Sequence, residues 1–348
     1  MPKVTIESID RVTRETLGAC GCSEKSIEDI LETIHYANRS NIPTHGVGRL
    51  SLYVRKIQAG HFNPKDEVEV LVDSGAMALL DARSCFGQVA AKKAIEIALK
   101  KAEEYGVAAV GVRNSNNFGT AGFYGDYAAR RGMAAFVFAN AAPAIAPTGG
   151  NKTIFGTNPL CFAFPGSDLN NPIVLDMATT VAARSKIRQA ARSGEKIPMN
   201  WAVGPNGEPT DDPNEALKGS LLPIAGYKGY GLSLFIDVFA GMLTGSAYAG
   251  EVKPLSNTKE DSNNGHLFVL IDTHRFADTE ELKARVDHFY AAVRACGEEG
   301  VVMLPGEPGY KKMEIQRNTV FISDKQYEEI NAIAREMGAS SVLETVEE

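Results

Sequence analysis

The chain has 348 residues, a formal net charge of −7 at neutral pH and five scattered cysteines. An apolar share of 44% supports a full core without disulfide staples, and no Lys/Arg cluster stands out from the acidic background, which excludes a nucleic-acid surface. No His/Cys spacing suggests a metal, no apolar core marks a signal peptide, and no run nears the roughly 18 apolar residues of a membrane span, so a reduced, cytoplasmic protein without metal or membrane contact is expected.

From Ser8 to Gly60 the pattern is helical: Ile9, Val12, Thr13 and Leu17, then Ile27, Ile30, Leu31 and Ile34, recur at three- and four-residue spacing, with Ser23 or Ser26 near a start. Val68–Val72 and Ala76–Asp81 read as paired strands around Asp73-Ser-Gly75, followed by a helix over Gln88–Tyr105. Val107–Val112 is an apolar strand, Phe123–Arg131 a helix, and Ala134–Ala139, Cys161–Phe164, Ile173–Leu175 and Leu267–Ile271 further strands. Asn206-Gly207 marks a tight turn. A helix over Leu232–Leu243 follows a glycine-rich run, and Ser323–Met337 is an amphipathic helix suited to pack back on the N-terminal helices. Strands outnumber crossover helices and several are joined by short turns, which predicts an α/β fold with a mixed, partly antiparallel sheet and packed helices. A helical module over 1–66, completed by 320–348, is expected beside an α/β domain over 67–319.

The chemistry concentrates at Thr44-His45-Gly-Val-Gly-Arg49-Leu-Ser-Leu-Tyr53. Pro43 and Thr44 read as a helix start with Thr44 as cap, which would put His45, Arg49 and Tyr53 at i, i+4 and i+8 on one stripe. His titrates near neutrality and can exchange a proton with a hydroxyl or carbonyl, while the planar Arg fork grips a carboxylate by two bonds. Together they fit a small 2-hydroxy or 2-oxo acid. Gly46 and Gly48, each costly to a helix by roughly 1 kcal/mol, suggest that backbone must approach something closely there.

No Gly-x-Gly-x-x-Gly follows an early strand, so a bound dinucleotide is not held by the usual pyrophosphate turn. Gly226-Tyr-Lys228-Gly-Tyr-Gly231, ahead of a helix, could face an anion with backbone amides and the Lys228 charge, although glycine-rich helix starts are common. Asn114-Ser-Asn-Asn117-Phe118-Gly119-Thr120 lies at a strand-to-helix turn, a cradle for anions or ribose hydroxyls. Asp176, read as the end of a strand, either bonds a ribose hydroxyl pair or caps the segment ending in Thr179-Thr180. Lys186, in a basic amphipathic stretch, is either a solvated residue or one that reaches a cofactor phosphate. His35, His61, His266, His274 and His288 are assigned ordinary structural or surface roles.

The run 44–50 with Tyr53 resembles the signature of the malate/L-lactate dehydrogenase family of NAD(P)-dependent oxidoreductases, a family distinct from the Rossmann-type enzymes. The resemblance continues through 114–122, 143–150, 156–159, 173–179, 228–232 and 304–307 in the family's order. It implies a non-Rossmann dinucleotide-binding fold, NAD or NADP as cofactor, and a homodimer. It also implies hydride transfer between a small 2-hydroxy acid and its 2-oxo acid, with His45 as acid/base, Arg49 on the carboxylate, and Thr44 and Tyr53 orienting them. Reduction of a cyclic imino acid, or a non-catalytic ligand-binding role, are the alternatives. By the same resemblance Lys228 lies against the cofactor, Asp176, Met177 and Ala178 touch it, and Thr157 lies near the substrate or nicotinamide. Pro305, Gly306 and Glu307 form a loop over the adenosine half, with Asn140 and Ala141 as candidate nicotinamide contacts. Similar proteins carry a His where this chain has Asn117, and Asn cannot shuttle a proton at neutral pH.

Overall fold

The computed structural model describes residues 1–298 and 300–346. A short strand β1 (Lys3–Thr5) runs into α1 (Ile6–Ala19), followed by α2 (Glu24–Arg39) and α3 (Leu50–Gln58). Thr5 and Ser23 cap α1 and α2, their hydroxyls accepting from the Ser8 and Ser26 amides, which satisfies donors that the first helical turn leaves free. Ile9, Val12 and Leu17 of α1 and Ile27, Ile30, Leu31 and Ile34 of α2 are fully buried, as their spacing predicts.

The α/β part follows with β2 (Glu69–Ser74), β3 (Met77–Asp81), α4 (Gly87–Tyr105), β4 (Val107–Ser115), α5 (Ala121–Ala129), β5 (Met133–Ala139), β6 (Leu160–Phe164) and β7 (Ile173–Met177). A smaller unit contains α6 (Arg184–Ser193), β8 (Ala202–Val203), α7 (Pro213–Lys218) and β9 (Ser220–Leu221) around its own cluster of Ile145, Phe155, Ile187 and Ala216. Then come α8 (Tyr227–Ile236), which continues as a π turn over Asp237–Met242, β10 (Asn264–Asp272), α9 (Thr279–Arg294), α10 (Glu307–Ile315), β11 (Thr319–Phe321) and α11 (Asp324–Glu336).

Seven strands form one sheet in the order β2-β3-β4-β10-β5-β6-β7, with only β3 and β4 parallel. This is the mixed, largely antiparallel sheet expected. β5 shows how its faces differ: Met133, Ala135, Val137 and Ala139 are buried, whereas Ala134, Phe136 and Phe138 between them stay half-open. Helices α4 and α5 pack on β3, β4, β10, β5, β6 and β7, and the π turn packs on β10, β5 and β4. The core that fills the sheet is continuous with that of α1 and α2. Strand β1 pairs with β11, and α11 lies against α1 and α3. Ser323 caps α11 in a reciprocal box with Gln326. No helix among the described residues is long and apolar enough to cross a membrane.

Several elements differ from the sequence reading. β1 and β11 are too short, at three residues each, to show a period. β7 runs through Met177, so Asp176 is a strand residue paired opposite Cys161 and not a cap. α8 begins at Tyr227 instead of Leu232, which makes Lys228 and Gly229 part of its first turn. The turn at Gly226 (φ +62°) sets that start, and a Cβ on Gly229 would sit 2.3 Å from the Ile224 carbonyl oxygen, so glycine here serves tight packing of the helix start.

Candidate active site

The loop between α2 and α3 does not continue as a helix through His45. Gly46 is extended (φ −86°, ψ −160°), a one-turn 3₁₀ segment covers Val47–Arg49, and α3 begins only at Leu50. The predicted stripe of His45, Arg49 and Tyr53 on one helix is therefore wrong, and Thr44 caps no helix. The two glycines are explained by side chains, not by a ligand. A Cβ on Gly46 would lie 1.8 Å from Asn38 Oδ1, which accepts the Val47 amide, and one on Gly48 would lie 2.2 Å from Gln326 Nε2.

The loop nevertheless brings the predicted groups together. The Thr44 hydroxyl bonds His45 Nδ1 at 3.0 Å, and Arg49 Nε donates to the Thr44 carbonyl. Among the described residues nothing engages His45 Nε2 or the two terminal nitrogens of Arg49. Both side chains are half-buried and closely surrounded by protein, which sets them in a recess. Burial, aided by the Arg49 charge, pushes the His45 imidazole down to about 3, so it is neutral at pH 7. Tyr53 is fully buried, edge-on to Phe86 at 5.4 Å, and its hydroxyl accepts from Gln88 Nε2 at 2.7 Å.

Gln88 opens α4, and the neighbouring Gly87 fixes what faces it: a Cβ there would meet the Asn116 carbonyl oxygen at 2.3 Å and that of Asn117 at 2.5 Å. The β4–α5 turn is thus pressed against the start of α4, next to Tyr53. Asn117 Oδ1 accepts the Gly119 amide at 3.3 Å, and Phe118 stacks on His266 with ring centroids 4.5 Å apart. The Thr120 hydroxyl is buried without a partner among the described residues, as is Gln88 Oε1. Asp176 meets the other end of this turn, Oδ2 accepting the Gly122 amide at 2.8 Å. Its carboxylate opens to solvent but is hemmed in by protein, which pushes it up to about 6 against the opposing effect of the Gly122 amide.

The remaining predicted cofactor residues divide into stitched and open groups. Asn140 is consumed internally, donating to the Ala247 carbonyl and accepting the Gly265 amide, while the Ala141 amide donates to Asn158. The Thr157 carbonyl accepts both the amide and the hydroxyl of Thr179. The Pro305 carbonyl accepts the Val174 amide, Gly306 has φ +96°, and Glu307 accepts the Leu304 amide and pairs with Arg294. Met177 and Ala178 are half-buried. Lys228 is exposed at the start of α8, and its ammonium bonds no described residue.

Two groups were not picked out by sequence. Gln88 carries no motif, and only the fold shows that it holds Tyr53. Arg188, in the basic stretch where Lys186 had been singled out, lies near enough to act on the charge of Arg49, while Lys186 points into solvent. The other histidines have local partners: His35 with Asp10, His61 with Asp261, His274 with Asp272, and His266 with Ser115; His288 is exposed.

A recess combining a neutral imidazole with a free guanidinium fork, next to a turn with unspent polar groups, suits an enzyme acting on a small anion. The family model for malate/L-lactate dehydrogenase matches residues 4–331. The chain is 37% identical to L-sulfolactate dehydrogenase of Methanothermobacter thermautotrophicus, covering 96% of this chain and 97% of that one. It is 36% identical to malate/(S)-sulfolactate dehydrogenase of Methanothermus fervidus over 92% and 94% of the two chains. The solved sulfolactate dehydrogenase of Methanocaldococcus jannaschii superposes with a TM-score of 0.90 at 34% identity, over 97% of both chains. The chain therefore belongs to the malate/L-lactate dehydrogenase family and is a nicotinamide-dependent dehydrogenase.

Proposed function

We propose that the protein interconverts a small 2-hydroxy acid and its 2-oxo acid, with His45 moving the hydroxyl proton and Arg49 holding the carboxylate. The observation that carries this reading is the free Nε2 of His45 beside the free fork of Arg49, both anchored on Thr44. The bond from Thr44 to Nδ1 fixes the ring and leaves Nε2 as the atom that faces substrate. Because the imidazole is neutral at pH 7, it is ready to accept a proton in the oxidation direction. Tyr53, whose hydroxyl accepts from Gln88, would help to orient these groups from below. Asn117 carries no proton in this scheme; it positions by hydrogen bonding.

The residues fit a nicotinamide dinucleotide. The buried, unpaired Thr120 hydroxyl, the accessible Asp176 carboxylate and the exposed Lys228 cation offer it a donor, an acceptor and a charge. Asn117, Phe118, Gly119, Thr120, Met177 and Ala178 would hold it, with Lys228 toward its phosphates and Pro305, Gly306 and Glu307 toward its adenosine half. Asn140, Ala141 and Thr157 would act through the backbone they brace. When bound, it supplies the hydride chemistry.

The same reading takes the protein as a cytoplasmic homodimer. Leu232, Phe235, Phe239, Met242 and Leu243 form an exposed apolar face along α8 and its π turn, with Phe235 59% and Leu243 65% accessible.

Replacing His45 by Gln should lower turnover by about 10²–10⁴-fold on a panel of 2-oxo acids, while fluorescence titration of the reduced nicotinamide stays unchanged. Near wild-type turnover would sink the assignment. Turnover of cyclic imino acids in preference to every 2-oxo acid would place the enzyme in the imine-reducing class instead.

A further inference from the structure

The buried side of α8 and its π turn has no part in the scheme above. Ser233 and Asp237 lie four residues apart on that side, Ser233 fully buried and Asp237 4% exposed, and the π turn begins at Asp237. Together they reach both turns that carry the candidate nicotinamide contacts. Asp237 Oδ1 accepts from Asn140 Nδ2 at 3.3 Å, and Oδ2 accepts the Ala249 amide at 2.7 Å. Ser233 Oγ donates to the Gly156 carbonyl at 3.1 Å, and the Ser233 carbonyl accepts from Asn158 Nδ2 at 2.8 Å.

The two turns are also locked to each other. Asn158 Oδ1 accepts the Ala141 amide at 2.9 Å, and a Cβ on Gly156 would sit 2.3 Å from the Ala141 carbonyl oxygen. Asn140 Oδ1 accepts the Gly265 amide at 2.9 Å and the Asn140 carbonyl accepts from Asn264 Nδ2 at 2.8 Å, which ties both turns to the start of β10. The packing leaves no slack. A Cβ on Gly241 would lie 2.6 Å from Asn140 Nδ2, and one on Gly265 would lie 1.6 Å from the Ala240 carbonyl oxygen. What stays unspent is the half-buried Thr157 hydroxyl, which bonds no described residue.

A buried carboxylate without a cation is unfavourable, and among the described residues no cation pairs with Asp237. Its chemistry explains why it is there. An amide of the same shape would satisfy one of the two donors and turn its own NH2 toward the other, so only a carboxylate accepts from Asn140 and Ala249 together. The π turn is where such a group belongs, since π turns recur at functional sites.

We propose that Asp237 and Ser233 are positioning residues that fix the Asn140–Ala141 and Gly156–Asn158 turns as a single rigid seat for the nicotinamide ring. This rests on the reading that these turns face the nicotinamide. Neither residue touches substrate or cofactor. Thr157 is the group of the seat that meets the ring, and Asp237 acts on it through Asn140, Ala141 and Asn158, while Ser233 acts through Gly156.

Calorimetric titration tests this by comparing the reduced dinucleotide with the matching ADP-ribose, which lacks only the nicotinamide, in wild type, Asp237→Asn, Ser233→Ala and Thr157→Ile. Asp237→Asn should weaken binding of the reduced dinucleotide by about tenfold, the effect of one hydrogen bond to a charged group, while ADP-ribose binding stays within twofold. Its kcat should fall by about 10- to 100-fold, as for a reacting group misplaced by about 1 Å. Should Asp237→Asn fail to fold, Ser233→Ala supplies the same comparison, with a selective loss of about two- to tenfold for one neutral hydrogen bond. Equal weakening of both ligands in a folded variant overturns the proposal by assigning these residues to the fold alone, and so does no change in either ligand. If Thr157→Ile leaves both ligands unchanged, the turns do not face the nicotinamide and the underlying reading fails. If Thr157→Ile weakens only the reduced dinucleotide while Asp237→Asn and Ser233→Ala weaken neither, that reading stands and the positioning roles fall.

Discussion

Arg49 and His45 are electrically linked as well as adjacent. The guanidinium charge adds to burial in lowering the proton affinity of the imidazole, so a carboxylate seated on Arg49 cancels part of that depression as substrate arrives. If His45 is the base, it is then strengthened when it has a proton to accept. In the oxidation direction activity needs neutral imidazole and is lost as pH falls through its pKa. The acid limb of kcat, which reports the complex, should therefore lie at higher pH than the acid limb of kcat/KM, which reports the free enzyme. Coincident limbs would show that Arg49 does not meet the carboxylate. In Arg49→Lys both limbs should be ill-defined because binding itself is lost, a point charge being unable to reproduce a planar two-bond grip. The sequence identified His45, Arg49 and Tyr53 as partners but gave them a false geometry. Four-residue spacing suggested a helix, whereas the contact comes from Arg49 reaching back to the Thr44 carbonyl, a bond that no periodicity encodes.

Glycines were the least reliable guides to secondary structure. Gly46 and Gly48 suggest a close backbone approach, and the Gly226–Gly231 run a helix start facing an anion; at Gly46, Gly48 and Gly229 the close neighbour is protein. Long periodic segments such as α1, α2, α4 and α11 were legible because burial of one face dictates spacing, while short segments such as β1 and β11 depend on partners far away in sequence. Gly46→Ala tests the packing view. The new methyl would collide with Asn38 Oδ1, whose side chain is buried and engaged by the Val47 amide, so it cannot simply turn aside. Destabilisation of about 1–3 kcal/mol is expected from such overpacking. Adding Asn38→Ala should recover part of the lost melting temperature, so that the double variant is less unstable than the two single effects together. Full additivity would mean that the two side chains do not compete for this space.

Beyond the β2–β3 hairpin, which the turn at Asp73–Gly75 announces, strand order was not legible, because β10 inserts between β4 and β5 after an intervening stretch of more than a hundred residues, and local pattern carries no address for such a partner. The same holds for surfaces. Phe235 and Phe239 lie outward on α8 and its π turn, which the helix expected over Leu232–Leu243 does not by itself reveal. If this face joins two copies, Phe239→Glu should convert the protein to a monomer in light scattering at micromolar concentration, since a charge buried without a partner costs several kcal/mol. An unchanged mass would move the interface elsewhere.

The contact between Gly48 and Gln326 also sets an order of events during synthesis. The loop that holds His45 and Arg49 leaves the ribosome early, whereas the α11 residue it rests against is made only after every strand of the main sheet. Until α11 docks, the loop that holds His45 and Arg49 lacks the helix that its 3₁₀ segment packs against, so under the proposed roles the site is completed late. If His45 has the role proposed for it, a lesion in α11, remote from it in sequence, is expected to lower turnover before it unfolds the chain.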